Sequence, residues 1–292
     1  MERCEQCPRA CGAVRGGDGT VGFCGMPSAV RVAKVMLHTA EEPCLCGGAG
    51  AGAIFFCGCN LRCVFCQNRA ISRGELLGTE YSAEALAEAI LALAADGAAC
   101  IDLVTPTHYT AQLIPILRAV KPRLSIPVVW NSSGYESVSA LRGLEGLVDV
   151  YLPDHKYFDS ALAGRLSGAS DYHAVACAAL REMLRQVGRP VHTADGRLVR
   201  GVLVRHLVLP GHRRDSIDLL RALADKFGSD AFLLSLMSQY TPDFALPEAE
   251  ACLHRRLTTF EYDSVLAEAQ RLGFDGYSQA LSAATADYTP QW

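Results

Sequence analysis

From about residue 50 onward the chain alternates short β-rich apolar runs with longer stretches of helical periodicity, and this alternation is the tightest constraint on its fold. Six runs read as strands, in order Ala53 to Cys57, Ile101 to Thr105, Pro127 to Asn131, Val148 to Leu152, Val202 to Val208 and Phe232 to Leu236. Helical patterns fall between them near Ser82 to Ala95, Ala111 to Val120, Tyr135 to Leu144, Tyr172 to Val187 and Asp215 to Phe227, and another, Glu261 to Leu272, follows the last strand. Ser82 is a plausible N-cap for the first of these helices. Parallel strands joined by right-handed crossovers give an α/β fold, and six of them close only part of an eight-stranded barrel. The expectation is a partial (βα)6 barrel over 51–292, open at one side for a large substrate, with its chemistry in the loops at the C-terminal strand ends.

Residues 1–50 differ in kind. They are rich in Cys and Gly, with an alternating run at Val30 to Leu37 that suits an edge strand, and they read as a small Cys-rich N-terminal extension. The chain has 13 cysteines, 10 of them within the first 66 residues. At 292 residues and 50% apolar it can bury a full core without disulfide staples. Met1-Glu2-Arg3-Cys4 opens no apolar signal segment, so a cytoplasmic location and metal binding are expected in place of disulfides. Cys100, Cys177 and Cys252 lie in apolar surroundings and read as small buried hydrophobes. A net charge of -4 and a pI near 6.1 provide no basic face for nucleic acid. The most apolar stretch, Ala83 to Ala95, is interrupted by Glu84 and Glu88, so no membrane span is expected. Small molecules or proteins are the expected partners.

Two cysteine groups carry the chemistry. The first strand runs directly into Gly58-Cys59-Asn60-Leu61-Arg62-Cys63-Val64-Phe65-Cys66, a CxxxCxxC spacing where a barrel enzyme keeps its active site. Three thiolates can hold three irons of a cubane cluster and leave the fourth open to a ligand. A zinc knuckle or a chance grouping is the alternative, although structural zinc normally takes a closed set of four ligands. The second group is Cys4, Cys7, Cys11 and Cys24, beside Gly22 and Gly25, a set able to close a structural zinc site or a further iron-sulfur cluster. Cys44 and Cys46 are further candidates. The run from Gly47 to Gly52 precedes a strand where a dinucleotide fingerprint would follow one, and reads as a flexible approach loop.

CxxxCxxC with an aromatic residue, Phe65, just before the last cysteine resembles the signature of radical S-adenosylmethionine (SAM) enzymes. The wider string from Ile54 to Cys63 is similar to the pyruvate formate-lyase activating-enzyme branch, as are Leu103 to His108, Asn131 to Tyr135, Tyr151 to Tyr157, Val204 to Gly211 and Leu236 to Tyr240. These strings reach across nearly the whole chain to about residue 280.

The resemblance implies a partial radical SAM barrel in which Cys59, Cys63 and Cys66 ligate a [4Fe-4S] cluster and SAM chelates the open iron. One electron would break the sulfonium bond, giving methionine and a 5'-deoxyadenosyl radical that abstracts hydrogen. Phe65 would pack near the adenine, Asn131, Ser132, Ser133, Asp154 and Lys156 would line the SAM pocket, and Arg205 would pair a carboxylate. Ordinary roles stand beside these: Asp154 as a helix cap, Asn131 in an Asx-turn, Arg205 in a surface salt bridge. The Gly-Gly-Glu string that activating enzymes place at the end of the second strand, where it binds the SAM amino group, is replaced by Thr105-Pro106-Thr107-His108. The leading function implied is an oxidoreductase that activates a glycyl radical protein, fed by a reductant such as flavodoxin or ferredoxin. The alternatives are radical SAM modification of a small molecule or of another protein or peptide, and a non-catalytic iron-sulfur or metal scaffold. His108, His155, His206 and His212 stand in or beside the same strings as acid-base or structural groups.

Overall fold

The computed structural model describes residues 3–15, 22–76, 78–285 and 290. Its strands are β1 (Val30–His38), β2 (Ala51–Phe56), β3 (Thr79–Tyr81), β4 (Ile101–Val104), β5 (Val128–Ser132), β6 (Val150–Pro153), β7 (Val191–His192), β8 (Leu198–Leu207), β9 (Leu233–Met237) and β10 (Gly276–Ser278). Its helices are α1 (Pro43–Cys46), α2 (Arg69–Ser72), α3 (Ala83–Ala95), α4 (Thr110–Val120), α5 (Val138–Arg142), α6 (Ser160–Ser167), α7 (Tyr172–Val187), α8 (Arg213–Phe227) and α9 (Thr259–Arg271). All six expected strands form, as β2, β4, β5, β6, β8 and β9.

The sheet order is β10-β9-β8-β6-β5-β4-β2-β1-β3, with β7 paired to β8. Strands from β2 through β10 run parallel along that path, while β1 lies antiparallel to both β2 and β3. Among the described residues no ladder joins β10 to β3, so the barrel stays open. Val30–His38 is therefore not the edge strand its alternation suggested: Thr79–Tyr81 pairs on its outer side. Three residues are too few to display a period, which hid both β3 and β10. The helix expected from Tyr135 begins at Val138, because Gly134 at φ +73° turns the chain and Glu136 is drawn inward to Trp130 and Thr107.

Side chains alternate across each strand, and inside the barrel that period stacks two layers of opposite character. The lower layer is apolar: Ala51, Cys100, Val129, Val150, Leu203 and Leu233 pack with α1, whose Cys44, Leu45 and Cys46 plug the N-terminal end of the barrel. Two residues further along the same strands the layer is polar, with Asp102, Asn131, Arg205 and Ser235. The larger core lies outside the sheet, where α3, α4 and α7 cover it with Leu86, Ile90, Leu113, Leu117, Leu180 and Met183. Among the described residues no helix is long and apolar enough to cross a membrane.

Candidate active site

A cavity of about 510 Å³ opens above the polar layer. Cys59, Cys63, Phe65 and Cys66 line it together with Asn131, Ser132, Asp154, Lys156 and Arg205. Every residue of the main site expected from the sequence thus faces one space, although the residues come from four different strand ends. Ser133 lines it too.

The cysteine loop leaves β2 through Gly58, whose φ of +83° is a left-handed conformation. A Cβ there would fall on Met26 Cγ and lie 2.8 Å from the Cys24 carbonyl oxygen, so only glycine passes. Each sulfur that follows meets a polar neighbour. Cys59 Sγ accepts the Leu61 N–H at 3.4 Å, Cys63 Sγ accepts the Ser167 hydroxyl at 2.9 Å, and Cys66 Sγ lies 3.5 Å from Ser72 Oγ. Burial, reinforced by Cys63 and Cys66, pushes the Cys59 thiol up to about 12, and burial raises Cys66 as well. Donors aimed at half-buried sulfurs suit thiolates, and a bound cationic centre would supply the charge that ionises them. The donor set therefore fits an iron-sulfur cluster with three protein ligands.

Along the same cavity the polar layer forms a continuous network. Arg205 donates from Nε to Asp154 Oδ1 at 3.1 Å and from Nη2 to Asn131 Oδ1 at 2.6 Å, and its Nη1 lies 3.5 Å from Glu41. Lys156 Nζ donates to Asp154 Oδ2 at 2.6 Å. Burial opposes ionisation of Asp154, but Lys156 and Arg205 outweigh it and hold the carboxyl below its usual range. Burial likewise opposes the Lys156 ammonium, and Asp154 more than offsets it. Asp154 is therefore not a helix cap; Asp159 caps α6 instead, accepting the Leu162 N–H at 2.6 Å. Arg205 is no surface ion pair, and the Asn131 amide donates to Asp102 and Glu41 at 3.2 Å each instead of closing a local turn.

Three acids in this network escaped the sequence reading. Glu41 and Glu42 enter because the segment after β1 folds back inside the barrel, where Glu42 Oε1 accepts the Ser235 hydroxyl at 2.8 Å. Asp102 is fully buried on β4, and its Oδ1 has no hydrogen-bond partner among the described residues. Burial, then Glu41, pushes Asp102 well above the usual carboxylate range; burial, then Glu41, also raises Glu42. The signal available was a lone acid inside the apolar run Ile101-Asp102-Leu103-Val104.

The string that replaces Gly-Gly-Glu divides sharply. Thr105 lines the cavity at φ +60°, a strained conformation for a β-branched residue, and its N–H donates to the Asn131 carbonyl at 2.8 Å. Thr107 turns away to donate to Glu136 Oε1 at 2.8 Å. His108 is buried against the Cys57 carbonyl at 2.6 Å, and burial drives its pKa down to about 3. Burial lowers His206 to about 4, between the His155 carbonyl and Ser216, and burial with His173 beside it lowers His155. These three are neutral packing groups outside the cavity. His212 lies 3.1 Å from Glu250 and 3.5 Å from Cys252, so Cys252 is half-buried beside polar groups, unlike the buried Cys100 and Cys177. Cys44 and Cys46 sit in the apolar plug. Cys4, Cys7, Cys11 and Cys24 are not among the residues lining the cavity.

No family model matches the chain. Over 283 residues it is 28% identical to the uncharacterized protein MJ0674 of Methanocaldococcus jannaschii, covering 94% of this chain and 76% of that one. Among solved structures it resembles a radical SAM methyltransferase from Sphaerobacter thermophilus, with a TM-score of 0.53 and 14% identity over 80% of this chain and 69% of the other. It also resembles Streptococcus suis SuiB bound to precursor peptide SuiA, with a TM-score of 0.52 and 14% identity over 77% of this chain. The chain spans only 48% of the length of SuiB. A spore photoproduct lyase C140A mutant gives a TM-score of 0.51 at 11% identity, over 77% of this chain and 74% of that one. The open parallel barrel is thus a fold found in radical SAM enzymes.

Proposed function

We propose that the chain is a radical SAM enzyme whose cluster is held by Cys59, Cys63 and Cys66. The observation that carries this reading is that Cys59, Cys63 and Cys66 line the same cavity as the Asp154-Lys156-Arg205-Asn131 network. A [4Fe-4S] cluster with SAM bound there supplies reductive cleavage of the sulfonium bond and, through it, hydrogen abstraction from a substrate. The residues' own tasks follow from their contacts. Lys156 gives one bond to Asp154 and keeps two ammonium protons for the SAM carboxylate, while Arg205 orients Asp154 and Asn131. Thr105, the member of its string that lines the cavity, stands nearest in role to the missing Gly-Gly-Glu, and Phe65, edge-on to Tyr240 at 6.1 Å, offers an apolar wall for the adenine.

The substrate proposed is a protein or peptide segment, with glycyl radical activation as its specific form and a flavodoxin- or ferredoxin-type reductant. The open side of the barrel supports this, since it leaves room for a chain to reach the cavity. The test is anaerobic reconstitution with iron and sulfide, followed by dithionite and SAM, with chromatography for 5'-deoxyadenosine. The nucleoside should form, and Cys63→Ala should abolish it; cleavage retained by that variant overturns the cluster assignment. With a candidate glycyl radical protein added, an oxygen-sensitive protein radical should appear by electron paramagnetic resonance. Turnover of a metabolite with no protein partner supports small-molecule chemistry instead, the reading favoured by the altered second-strand string.

A further inference from the structure

Among the described residues two groups of three side chains each bring one metal-ligating atom apiece within 4.8 Å of one another, His155-His173-Cys177 and His212-Glu250-Cys252. In the first, His155 Nε2 meets Nδ1 of the His173 ring at 3.2 Å, while Cys177 Sγ meets Nε2 of that ring at 3.6 Å. The two contacts use different nitrogens of one imidazole, the pattern of a hydrogen-bonded chain and not of a shared centre. The second group is closed. His212 Nε2 lies 3.1 Å from Glu250 Oε2 and 3.5 Å from Cys252 Sγ, and that sulfur lies 3.8 Å from the same Glu250 oxygen. A tetrahedral zinc ion with bonds of about 2.0–2.3 Å separates nitrogen and oxygen ligands by about 3.3 Å and sets sulfur about 3.6 Å from either. The triangle has nearly those edges and in the same order, the nitrogen-oxygen edge shortest and both sulfur edges longer. Two protons bridge at most two of its edges, whereas one cation bridges all three.

The surroundings favour that approach. Gly211 stands beside the triangle at φ +83°, and a Cβ there would lie 2.7 Å from Cys252 Cβ and 2.9 Å from its sulfur, so only glycine lets the two loops close. Arg165 Nε donates to Glu250 Oε1 at 2.8 Å, which orients the carboxylate and leaves Oε2 to His212 and Cys252. Arg255 is held by both oxygens of Glu261, at 2.8 and 2.7 Å. A neutral imidazole, a carboxylate and a thiolate carry two negative charges, which a divalent ion cancels, and the thiol proton passes to water as the sulfur binds. Mixed nitrogen, oxygen and sulfur donors suit zinc over calcium or magnesium, which take oxygen. We propose that His212 Nε2, Glu250 Oε2 and Cys252 Sγ bind a zinc ion, with water in the fourth position, and that the ion clips the loop after β8 to the segment 242–254. That segment follows β9, its Leu246 N–H donates to the Val64 carbonyl at 2.8 Å, and its Leu253 packs in one cluster with Leu61 and Phe65. The clip therefore fastens to the barrel the segment that packs on the cysteine loop. None of its three ligands lines the cavity, so the site stands independently of the SAM reading.

Zinc content tests this on full-length protein that is purified anaerobically with a thiol reductant, stripped by a chelator, reloaded with zinc and gel-filtered. Other cysteines of the chain can also take zinc, so the reading is the difference between wild type and variant. Cys252→Ser and Glu250→Gln, each close to isosteric, should fold as wild type by circular dichroism and each hold about one zinc per chain less. His212→Ala should lose the same amount. Equal zinc in wild type and these variants overturns the site, as does a wild type that holds none. Hydrogen exchange reads the clip without relying on any variant's folding. When zinc is added to stripped wild type, the Leu246, Ala249 and Leu253 amides should exchange about tenfold or more slowly, and in Cys252→Ser they should not respond. Exchange in the wild type that is equal with and without zinc overturns the clip and leaves the zinc site to be decided by the metal content.

Discussion

Gly58 is the residue on which two parts of the molecule meet, since its Cα stands where Met26, Cys24 and the cluster loop converge. Gly58→Ala adds both a left-handed strain and a collision, together about 2–5 kcal/mol, and should lower the urea midpoint and the iron retained after reconstitution. Thr105 is the opposite case, a side chain kept at a strained φ of +60° on the cavity wall. Thr105→Gly should relieve about 1 kcal/mol and raise the melting temperature, while weakening SAM binding in equilibrium dialysis; unchanged affinity would show that the threonine serves the backbone alone. Asp102 carries a third prediction. It is buried beside Glu41, Asn131 and Arg205, and its folded pKa lies above its unfolded one, so its contribution to stability is full below about pH 4 and is lost as pH rises through the folded value. Asp102→Asn removes that loss, and its stability advantage over wild type in urea melts should be larger at pH 8 than at pH 5. Cys59, Cys63 and Cys66 were legible in their CxxxCxxC spacing directly after an apolar run, and Asp154 and Arg205 in the strings that resemble radical SAM enzymes. Glu41 and Glu42 were not, because nothing in linear spacing says that the segment after β1 turns inward.

Whole elements were easier to read where burial is two-sided. The strand β2, Ala-Gly-Ala-Ile-Phe-Phe, is buried at all six positions, so its apolar run survives as a signal, and β4, β5, β6 and β9 follow the same logic, as does the middle of β8 from Gly201 to Val204. The two interior layers were hidden in that reading. Polar residues at every second position look like an exposed face in a sequence, but in an open barrel that face is the cavity. The cap expected at Ser82 is present, its hydroxyl accepting the Ala85 N–H at 3.1 Å. Ser82→Ala should therefore cost about 1 kcal/mol in a denaturant melt and leave SAM cleavage unaltered, because α3 packs outside the sheet. The helix α6 went unread because its Leu162, Ala163 and Leu166 pack against the cluster loop and not on the sheet, outside the βα rhythm.

For the molecule as a whole, the first 50 residues supply β1, a full-length antiparallel partner for β2, and the helix that fills the barrel's N-terminal end. A chain starting at Ala51 would expose the β2 edge and empty the lower layer, so it should show no cooperative thermal transition by circular dichroism and should elute as aggregate. The plug formed by α1 also decides how traffic moves. With the N-terminal end filled by the chain itself, the ways left into the cavity are the C-terminal end, where the cysteine loop lies, and the unpaired side between β10 and β3. A guest therefore comes in over the rim or through the flank, and never by threading the barrel from below.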